Sequence, residues 1–504
     1  MRVPIAPLLI TLVVAASCGG TSPSDDSGEE TTSTSTTAGN TTAAPATTES
    51  PTATTSSPDT DVDDEVALVP TTDTRISVVG AEEMVFDWTT DRCEDEHIPD
   101  IAARAIRNAE GLVQLYVTHY VAYRMIGTDL NAVTTDCSIQ TMASAFDPDP
   151  SQFNEAGWIA APYTEDGETV YAVVHNEYRG FVFDASSLCP RGDHLSCIDV
   201  TLTMSVSTDG GATFDHIATP PAHLAASLPY VYDPEGVPSG LWQTSNIVKR
   251  DDGFHYLMTN ISAYPESEGE HPRQWSCLLR TDDLSDPTSW RYWNGNGFDG
   301  HFSNPYTDPV DTTAVCPPVA RPQIGAELVE TIVFDEALDR YVAMGMTDDP
   351  NNGGAWGVYY SLSEDLITWS NRRLLIELPM SPSVAEPDND LQYAYPALID
   401  PDSESANFDT SDGAAYVYIT RFNAGGSSLD RDLLRYPIAV ETVDLEAPEW
   451  TFDTEGDVEG WNAINQLDPF TATDGVLSMA STGTDPYMES SPVRFPGPSF
   501  PAMT

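Results

Sequence analysis

Four polar residues, His175-Asn176-Glu177-Tyr178, follow a segment, Thr-Val-Tyr-Ala-Val-Val, that reads as an apolar strand. Polar side chains at such a position face either water or a functional site. At a functional site, the carboxyl group of Glu177 could donate or accept a proton. Two further carboxyl residues, Asp100 and Glu327, lie near the starts of other strand-rich segments. Each of these carboxylates is also consistent with the solvated surface of an acidic protein.

Arginines and aromatic residues near the same segment starts are candidates for binding a substrate. Arg104 and Arg321 could hold a carboxylate through two parallel hydrogen bonds, although a salt bridge between blades explains Arg104 equally well. Trp242 and Tyr395 could stack on sugar rings, and packing in the core is the alternative for both. With His175, these residues form the predicted substrate-binding set.

The elements that must position these side chains recur along the chain. A strand meets a tight polar turn, and an aromatic-rich strand follows with the two-residue alternation of β-structure. The five copies contain RNAEGLVQLYVTHY, YTEDGETVYAVVHNEY, VKRDDGFHYLMTN, VFDEALDRYVAMGM and DTSDGAAYVYITRF. Such repeats are typical of propellers, in which each repeat is a four-stranded blade. The sequence therefore predicts an all-β chain with a five-bladed β-propeller at residues 76–445.

Three turns carry a more specific pattern. Ser207-Thr-Asp-Gly-Gly-Ala-Thr-Phe214 resembles the Asp-box of sialidase-like propellers. The segments Ser363-Glu-Asp-Leu-Ile-Thr-Trp369 and Thr281-Asp-Asp-Leu…Trp290 are similar to the turns of five-bladed propeller glycosidases. In such turns, aspartate and hydroxyl groups bond backbone N–H groups, glycine adopts positive φ, and the aromatic ring packs between sheets. These turns indicate a fold and do not identify a reaction.

The resemblance to propeller glycosidases implies roles for the candidate residues. In that group, acidic residues come from the inner strands of different blades and meet at one end of the central channel. By position, Asp100 is then the base or nucleophile, and Glu177 or Glu327 is the acid. The segment His97-Ile98-Pro99 matches the sialidase Arg-Ile-Pro motif only in part, because histidine replaces the arginine.

Residues 446–504 do not continue the sequence pattern of the repeats. They resemble the opening of a jelly-roll carbohydrate-binding module. A complete β-sandwich takes about 100 residues, so this shorter segment predicts a partial β-sandwich.

The first residues, MRVPIAPLLITLVVAASC, have one positive charge, an apolar run and small residues before a cysteine. This layout is typical of a secretory signal, and Ala15-Ala-Ser-Cys18 resembles a bacterial lipoprotein cleavage box. Residues 1–18 are then a lipoprotein signal peptide, with Cys18 lipidated and the protein facing outside the membrane. Ordinary signal cleavage is the alternative. Residues 19–75 are rich in Thr, Ser, Pro and acid, which predicts a disordered tether.

Six cysteines follow Cys18, and an even number in an exported chain favours disulfides. Neighbours in sequence predict Cys93–Cys137, Cys189–Cys197 and Cys277–Cys316, among about 15 possible pairings. No CxxC motif or close His/Cys cluster is present. We therefore expect neither a metal nor another cofactor.

The formal net charge of −58 limits the choice of partner. Its field repels nucleic acid and anionic lipid, so we expect no nucleic-acid partner and membrane contact only through the lipid anchor. We expect a monomer whose partner is an extracellular glycan.

Two main functions remain open. The first is hydrolysis of a glycosidic bond in an extracellular glycan, and the alternative is a non-catalytic propeller that binds glycan or protein at the cell surface. A periplasmic or cell-wall assembly factor is a third interpretation. Converging carboxyl groups in the channel favour the enzyme, whereas aromatic and amide side chains without such a pair favour the binding module.

Overall fold

The computed structural model describes most of the chain between residues 72 and 489. The described residues are 72–183, 185–190, 197–236, 238–263, 273–309, 311–312, 314–319, 329–349, 353–381, 390–444, 452, 454–458, 461–473, 475–483 and 487–489. The predicted signal peptide, Cys18 and most of the predicted tether lie outside these residues, as do Arg321 and Glu327. Within the described ranges, no helix combines the length and the apolar character needed to cross a membrane.

The chain forms a five-bladed β-propeller, as predicted. The strands of blade 1, from the inner strand outward, are Arg104–Arg107, Val113–Tyr116, Arg124–Gly127 and Thr134–Thr135. Those of blade 2 are Ala156–Thr164, Val170–Arg179 and Ile198–Ser207, with Asp215–His216 and Leu224–Ala226 at the outer edge. Those of blade 3 are Ser239–Thr244 with Val248–Lys249, then His255–Ala263, Arg273–Thr281, Arg291–Tyr292 and Gly300–His301.

The remaining strands complete the ring. Blade 4 contains Thr331–Asp335, Arg340–Thr347, Gly357–Ser363 and Arg373–Glu377, and Thr410–Ser411 pairs in parallel with its inner strand. Blade 5 contains Gln392–Ile399, Ala414–Phe422, Arg431–Asp444 and Thr72–Val78, with Glu83–Phe86 also paired to its third strand. A two-stranded sheet joins Val121–Ala122 to Met142–Ala143. The described helical segments are Trp88–Asp91, Pro150–Gln152, Gly180–Val182, Ala185–Leu188 and Pro287–Ser289.

The hydrophobic core lies between the blades. Every residue of the inner strands Ala156–Thr164 and Gln392–Ile399 is buried, because each strand is covered by a neighbouring blade on both faces. Ile106 of blade 1 belongs to one cluster with Ile159 of blade 2. Burial of the apolar faces therefore stabilises the ring as a whole.

The ring closes through the first described strand. Thr72–Val78 pairs antiparallel with Arg431–Asp444, so that Thr72 lies opposite Asp444. Residues 72–75 were predicted as part of the tether, but they belong to this strand, because their backbone groups complete the sheet of blade 5. From blade 4, Arg373 reaches across to the Asp73 carboxylate, with Nη2 at 3.0 Å from Oδ1. The two ends of the propeller consequently meet at the outer edge of blade 5.

The polar turn at Ser207–Phe214 is held by its own side chains. Asp209 Oδ1 accepts hydrogen bonds from the backbone N–H groups of Ala212 and Thr213 at 3.0 and 2.9 Å. Ser207 Oγ accepts one from Gly211 at 2.8 Å, and Gly211 has φ of 88°. Phe214 is buried, with its ring centroid 6.0 Å from that of Tyr116 in blade 1. The turn thus fixes an aromatic contact between two blades.

The described part of the C-terminal segment contains two small antiparallel sheets. Asn462–Asn465 pairs with Tyr487–Glu489, and Thr471–Thr473 pairs with Val476–Ser478. Ala472 is buried, whereas Val476 is largely exposed. These strands form a partial β-sandwich, as predicted.

The three predicted disulfides are confirmed. Cys93 is bonded to Cys137, Cys189 to Cys197, and Cys277 to Cys316. The paired residues are separated by 44, 8 and 39 positions, respectively. Chain entropy makes a disulfide more stabilising when it closes a longer loop.

We therefore predict unequal costs for removing two of these disulfides. Replacing Cys277 and Cys316 by alanine should lower the free energy of unfolding by about 4 kcal/mol, and replacing Cys189 and Cys197 by about 2.5 kcal/mol. Urea denaturation of the two double variants measures the difference. Equal costs would show that native-state contacts, rather than loop length, set the contribution of each disulfide.

Candidate functional site

The candidate site lies at one end of the central channel, which we call the mouth. The inner strand of blade 2 begins there, where Ala156 pairs with Glu177 of the neighbouring strand. Asp100 reaches the same end from the segment before blade 1, because its carboxylate accepts a hydrogen bond from Trp158. Asp100, His175 and Glu177, three of the predicted site residues, are thus brought together.

Asp100 is surrounded by groups that favour its ionised form. Its Oδ2 accepts a hydrogen bond from Trp158 Nε1 at 3.1 Å, and its Oδ1 accepts one from the Tyr395 hydroxyl at 3.3 Å. Arg431 Nη1 contacts the same Oδ1. Burial is the largest single effect and opposes ionisation, but nearby charges, that of Arg431 first, and hydrogen bonds together outweigh it, and the pKa of Asp100 falls below its usual value. Asp100 is therefore a carboxylate at neutral pH.

The neighbouring pair, His175 and Glu177, holds a proton. His175 Nδ1 lies 3.0 Å from the carbonyl oxygen of Trp242, which only accepts hydrogen bonds, so Nδ1 carries hydrogen. His175 Nε2 lies 3.0 Å from Glu177 Oε1. Two lone pairs repel at that distance, so a hydrogen atom lies between these two atoms as well. The pair is either imidazolium with carboxylate or imidazole with carboxylic acid, and in both forms it can donate a proton.

Behind Glu177 lies a buried ion pair that the sequence did not single out. Arg179 donates to both carboxylate oxygens of Glu155, at 2.9 and 2.8 Å. Its guanidinium also lies 4.5 Å from the ring centroid of Tyr120. Because burial disfavours its charge, the pKa of Glu155 is raised despite this partner. The pair fixes the end of the strand that carries Glu177.

His119 and its neighbours close the other side of the site. His119 Nδ1 donates to the carbonyl oxygen of Glu96 at 2.9 Å, and its Nε2 lies 3.8 Å from Asp100 Oδ2. Burial lowers the pKa of His119 to about 4, so the ring is neutral. The Tyr120 ring packs against both His119 and Trp158, with centroids 3.7 and 5.8 Å away. The mouth therefore combines carboxyl groups with a wall of aromatic rings.

Arg104 has a structural position instead of the predicted role in substrate binding. Its Nη2 donates to the carbonyl oxygens of Thr244 and Glu330 at 2.7 and 2.6 Å. Its Nε and Nη1 donate to Ala160 and Ala103 at 2.8 and 2.9 Å. The side chain is buried and joins the inner strands of blades 2, 3 and 4. Its polar atoms are thus committed to the backbone and are not free to bind a sugar acid.

Of the two predicted stacking residues, Tyr395 differs from expectation, whereas the stacking role of Trp242 stays a prediction. Tyr395 is buried, and its hydroxyl donates to Asp100, so it orients the carboxylate and offers no exposed ring face. Trp242 is half-buried, and its backbone carbonyl orients His175. Its indole Nε1 is buried and has no hydrogen-bond partner among the described residues. The remaining predicted residues, Arg321 and Glu327, lie outside the described residues.

Glu330 is a further acid near the mouth. Its side chain is fully buried, and neither carboxyl oxygen has a hydrogen-bond partner in the described structure. Burial raises its pKa to about 8, opposed by the charge of Arg104. The charges of Asp100, Glu330 and Glu177 all help to raise the pKa of Tyr395, after the larger effect of burial. These three acids therefore share one electrostatic environment.

Sequence reasoning missed Arg431, His119, Arg179 and Glu155. Arg431 lies on the third strand of blade 5, and only ring closure brings it to Asp100. For His119, the sequence did contain a local signal, because a histidine beside Tyr120 interrupts the first repeat. Among the described residues, no three His, Cys, Asp or Glu side chains are grouped so that they could hold a metal ion.

No protein-family model matches the chain, and no curated protein matches it either. Among solved structures, it is similar to a thermostable family-43 glycoside hydrolase, with 10% identity, a TM-score of 0.37, and 70% of this chain and 98% of that chain covered. It is also similar to a xylan β-1,4-xylosidase from Bacillus halodurans, with 11% identity, a TM-score of 0.38, and coverage of 72% and 64%. For an N-acetylgalactosamine deacetylase from F. plautii, the identity is 11%, the TM-score is 0.39, and the coverage is 71% and 95%.

Proposed function

We propose that this protein hydrolyses a glycosidic bond in an extracellular glycan, with Asp100 as base or nucleophile and Glu177 as acid. One observation carries the proposal. An ionised carboxylate, held by Arg431 and Trp158, shares the mouth with a histidine–glutamate pair that holds a proton. Glycoside hydrolysis requires this division between one group that donates a proton and another that acts as a carboxylate.

In the proposed reaction, the His175–Glu177 pair protonates the leaving oxygen as the bond to the anomeric carbon breaks. Asp100 either takes a proton from the attacking water or attacks the anomeric carbon itself, and water then releases the sugar. In both routes, one water is consumed and the proton lost by the pair is regained. Measuring the anomeric configuration of the first product distinguishes the two routes.

The charges of the mouth favour a neutral sugar. Arg431 is paired with Asp100, Arg179 with Glu155, and Arg104 with backbone carbonyl groups. These arginines are therefore already neutralised or saturated, while Asp100 and Glu177 repel an anionic substrate. Tyr120 and Trp242, which are partly exposed, supply apolar surface on which a sugar ring can pack.

The alternative function is a non-catalytic propeller that binds a glycan or a protein at the same mouth. One observation favours it. The side chains of Asp100 and Glu177 are only 15% and 10% exposed. A catalytic pair needs direct contact with the bond that it cleaves, whereas a binding site could use these groups solely to hold the aromatic wall in place.

We also propose that the protein is exported and anchored through a lipid on Cys18, with the mouth facing away from the membrane. Phe422 and Arg431 mark the mouth end of blade 5, since Arg431 contacts Asp100. The third strand runs from there to Asp444 at the opposite end, where Thr72 pairs with it. The chain therefore enters the propeller from the side opposite the mouth.

We predict separate effects for Asp100→Asn and Glu177→Gln. Asp100→Asn should lower kcat/KM on aryl glycosides of neutral pentoses and hexoses whatever the leaving group, since the reacting carboxylate is lost. Glu177→Gln should lower it by about 10² to 10⁴ on alkyl glycosides. On 2,4-dinitrophenyl glycosides the loss should be much smaller, because that leaving group needs no proton. Asp282→Asn and Glu168→Gln, two exposed carboxyl residues, serve as matched controls.

Two outcomes would contradict the assignment. If Glu330→Gln shows the dependence on the leaving group and Glu177→Gln does not, Glu330 is the acid. If the wild-type protein binds neutral glycans but hydrolyses none of them, the binding module is the better description.

We predict that Arg431→Met raises the pKa of Asp100, because the positive charge that stabilises its ionised form is lost. The acidic limb of the kcat/KM profile should move to higher pH by about 1 to 3 pH units. The ¹H–¹⁵N resonance of the Trp158 indole, which donates to Asp100, should report the same shift without any substrate. Arg75→Met, at an exposed position on the closing strand, is the control. An unchanged midpoint would show that Arg431 does not set the charge of Asp100.

We predict that the wild-type protein fractionates with membranes and that Cys18→Ser releases it, because the lipid is the proposed link. Stable anchoring takes at least two acyl chains, since one chain binds only weakly. Immunoblotting of membrane and soluble fractions tests the prediction. A Cys18→Ser protein that remains with the membranes would contradict it.

A further inference from the structure

Phe146 lies exposed at the rim of the mouth. The residue is 43% exposed, although phenylalanine is usually buried. Its ring centroid lies 5.8 Å from that of Tyr120, and the two ring planes meet at 80°. Tyr120 in turn packs against Trp158, whose indole donates to Asp100. A chain of ring contacts therefore leads from Asp100 outward to Phe146.

The backbone of Phe146 has a conformation that phenylalanine seldom adopts. Its φ is 53°, in the left-handed region, where a side chain crowds the backbone. Phe153 and Phe408 have similar φ values of 50° and 51°, but both are buried, so packing in the core accounts for their conformation. Core packing does not account for the exposed Phe146. Unfavourable backbone conformations that the surrounding structure imposes are frequent at binding sites.

The loop that carries Phe146 is tied to blade 2. The backbone N–H of Phe146 donates to the carbonyl oxygen of Glu155 at 2.8 Å, and the carboxylate of Glu155 is paired with Arg179. Two residues after Phe146, the carbonyl oxygen of Pro148 accepts a hydrogen bond from the Tyr178 hydroxyl at 2.9 Å. The position of the exposed ring is thus set by the protein before a ligand binds, which lowers the entropic cost of binding.

Tyr120 forms a second wall beside Phe146. Its hydroxyl donates to Glu96 Oε2 at 2.9 Å, and the guanidinium of Arg179 lies 4.5 Å from its ring centroid. Because the two rings meet nearly at a right angle, Tyr120 can cover at most one face of the Phe146 ring. Phe146 and the partly exposed Tyr120 therefore form an apolar corner that is open to solvent. The C–H groups of a neutral sugar can pack against such rings, whereas the Glu96 carboxylate repels an anionic one.

We propose that the corner formed by Phe146 and Tyr120 binds a second neutral sugar residue of the substrate. Phe146 lies further out than Trp158 in the chain of ring contacts, so the sugar that it touches is the neighbour of the one cleaved at Asp100. The mouth then selects chains of at least two neutral sugars over a single glycoside. This inference rests on the proposed function for the position of the cleaved bond, but binding of the second sugar requires no catalysis.

The first test is isothermal titration calorimetry with xylotriose, arabinotriose, cellotriose and mannotriose, and with the methyl glycoside of each sugar. Every protein carries Asp100→Asn, so that hydrolysis does not consume the ligand. We expect at least one trisaccharide to bind more tightly than its methyl glycoside. Phe146→Asn should weaken binding of that trisaccharide by about five- to tenfold, whereas Phe146→Tyr, which keeps the ring, should stay within about twofold. Val79→Asn, at an exposed apolar position on the outer edge of blade 5, is the matched control.

A second measurement separates contact with the substrate from a role in packing. Asparagine adopts positive φ more readily than phenylalanine, so Phe146→Asn should not lower the unfolding temperature. With Asp100 intact, Phe146→Asn should lower kcat/KM on the trisaccharide more than on the methyl glycoside of the same sugar. A lower unfolding temperature with equal losses on both ligands would assign Phe146 to packing and overturn the proposal.

Equal affinity of the Phe146→Asn and Phe146→Phe backgrounds for all four trisaccharides, or no binding of any of them, would also overturn the second sugar position. Failure of the two functions is distinguishable. If the wild-type protein hydrolyses none of these sugars but Phe146→Asn still weakens trisaccharide binding, the second sugar position stands and only the proposed reaction falls. If hydrolysis is found and Phe146→Asn changes neither binding nor the ratio of kcat/KM values, the proposed reaction stands without the second sugar position.

Discussion

The hydrogen bonds of the Arg104 guanidinium are the interaction on which the arrangement of the blades depends. The guanidinium is buried at the channel centre, and its donors reach carbonyl oxygens of Ala160, Thr244 and Glu330 on the inner strands of three other blades. An unpaired buried charge is strongly destabilising, so these strands must converge where the carbonyl oxygens can surround the cation. The same convergence sets the position of Asp100, which precedes Arg104 by a few residues, relative to Trp158 on blade 2.

At the mouth, the chemistry of the site depends on which side chains carry hydrogen. Arg431 keeps Asp100 ionised although the carboxylate is largely buried. The carbonyl oxygen of Trp242 fixes the hydrogen of His175 Nδ1, and this arrangement requires a second hydrogen between His175 and Glu177. Glu330 is fully buried, and its carboxyl oxygens have no hydrogen-bond partner among the described residues. It carries its own proton at neutral pH because burial raises its pKa to about 8. Neighbouring acids with different environments can thus divide the roles of base and acid.

The repeats predicted the blades well because each blade is a local unit, whose turns and alternating strands depend on nearby residues. The disulfides were predictable for the same reason, since each joins cysteines that are neighbours in sequence. The partners of Asp100, by contrast, were not predictable from the sequence. Arg431 is distant in sequence, and it reaches Asp100 because blade 5 packs against blade 1 in the closed ring. Arg104 and Tyr395 were expected to bind substrate because their residue types allow it, but residue type does not reveal that backbone carbonyls or Asp100 already occupy their polar groups.

The central claim is that the mouth holds an ionised Asp100 beside a pair, His175 and Glu177, that carries a transferable proton. NMR of the protein with ¹³C-labelled carboxyl and ¹⁵N-labelled imidazole groups tests this directly, with Asp100→Asn and Glu177→Gln to assign the resonances. At neutral pH, we expect Asp100 to be a carboxylate and His175 Nδ1 to carry hydrogen, with a second proton on either His175 Nε2 or Glu177. A protonated Asp100, or a His175 Nδ1 without hydrogen, would contradict the account.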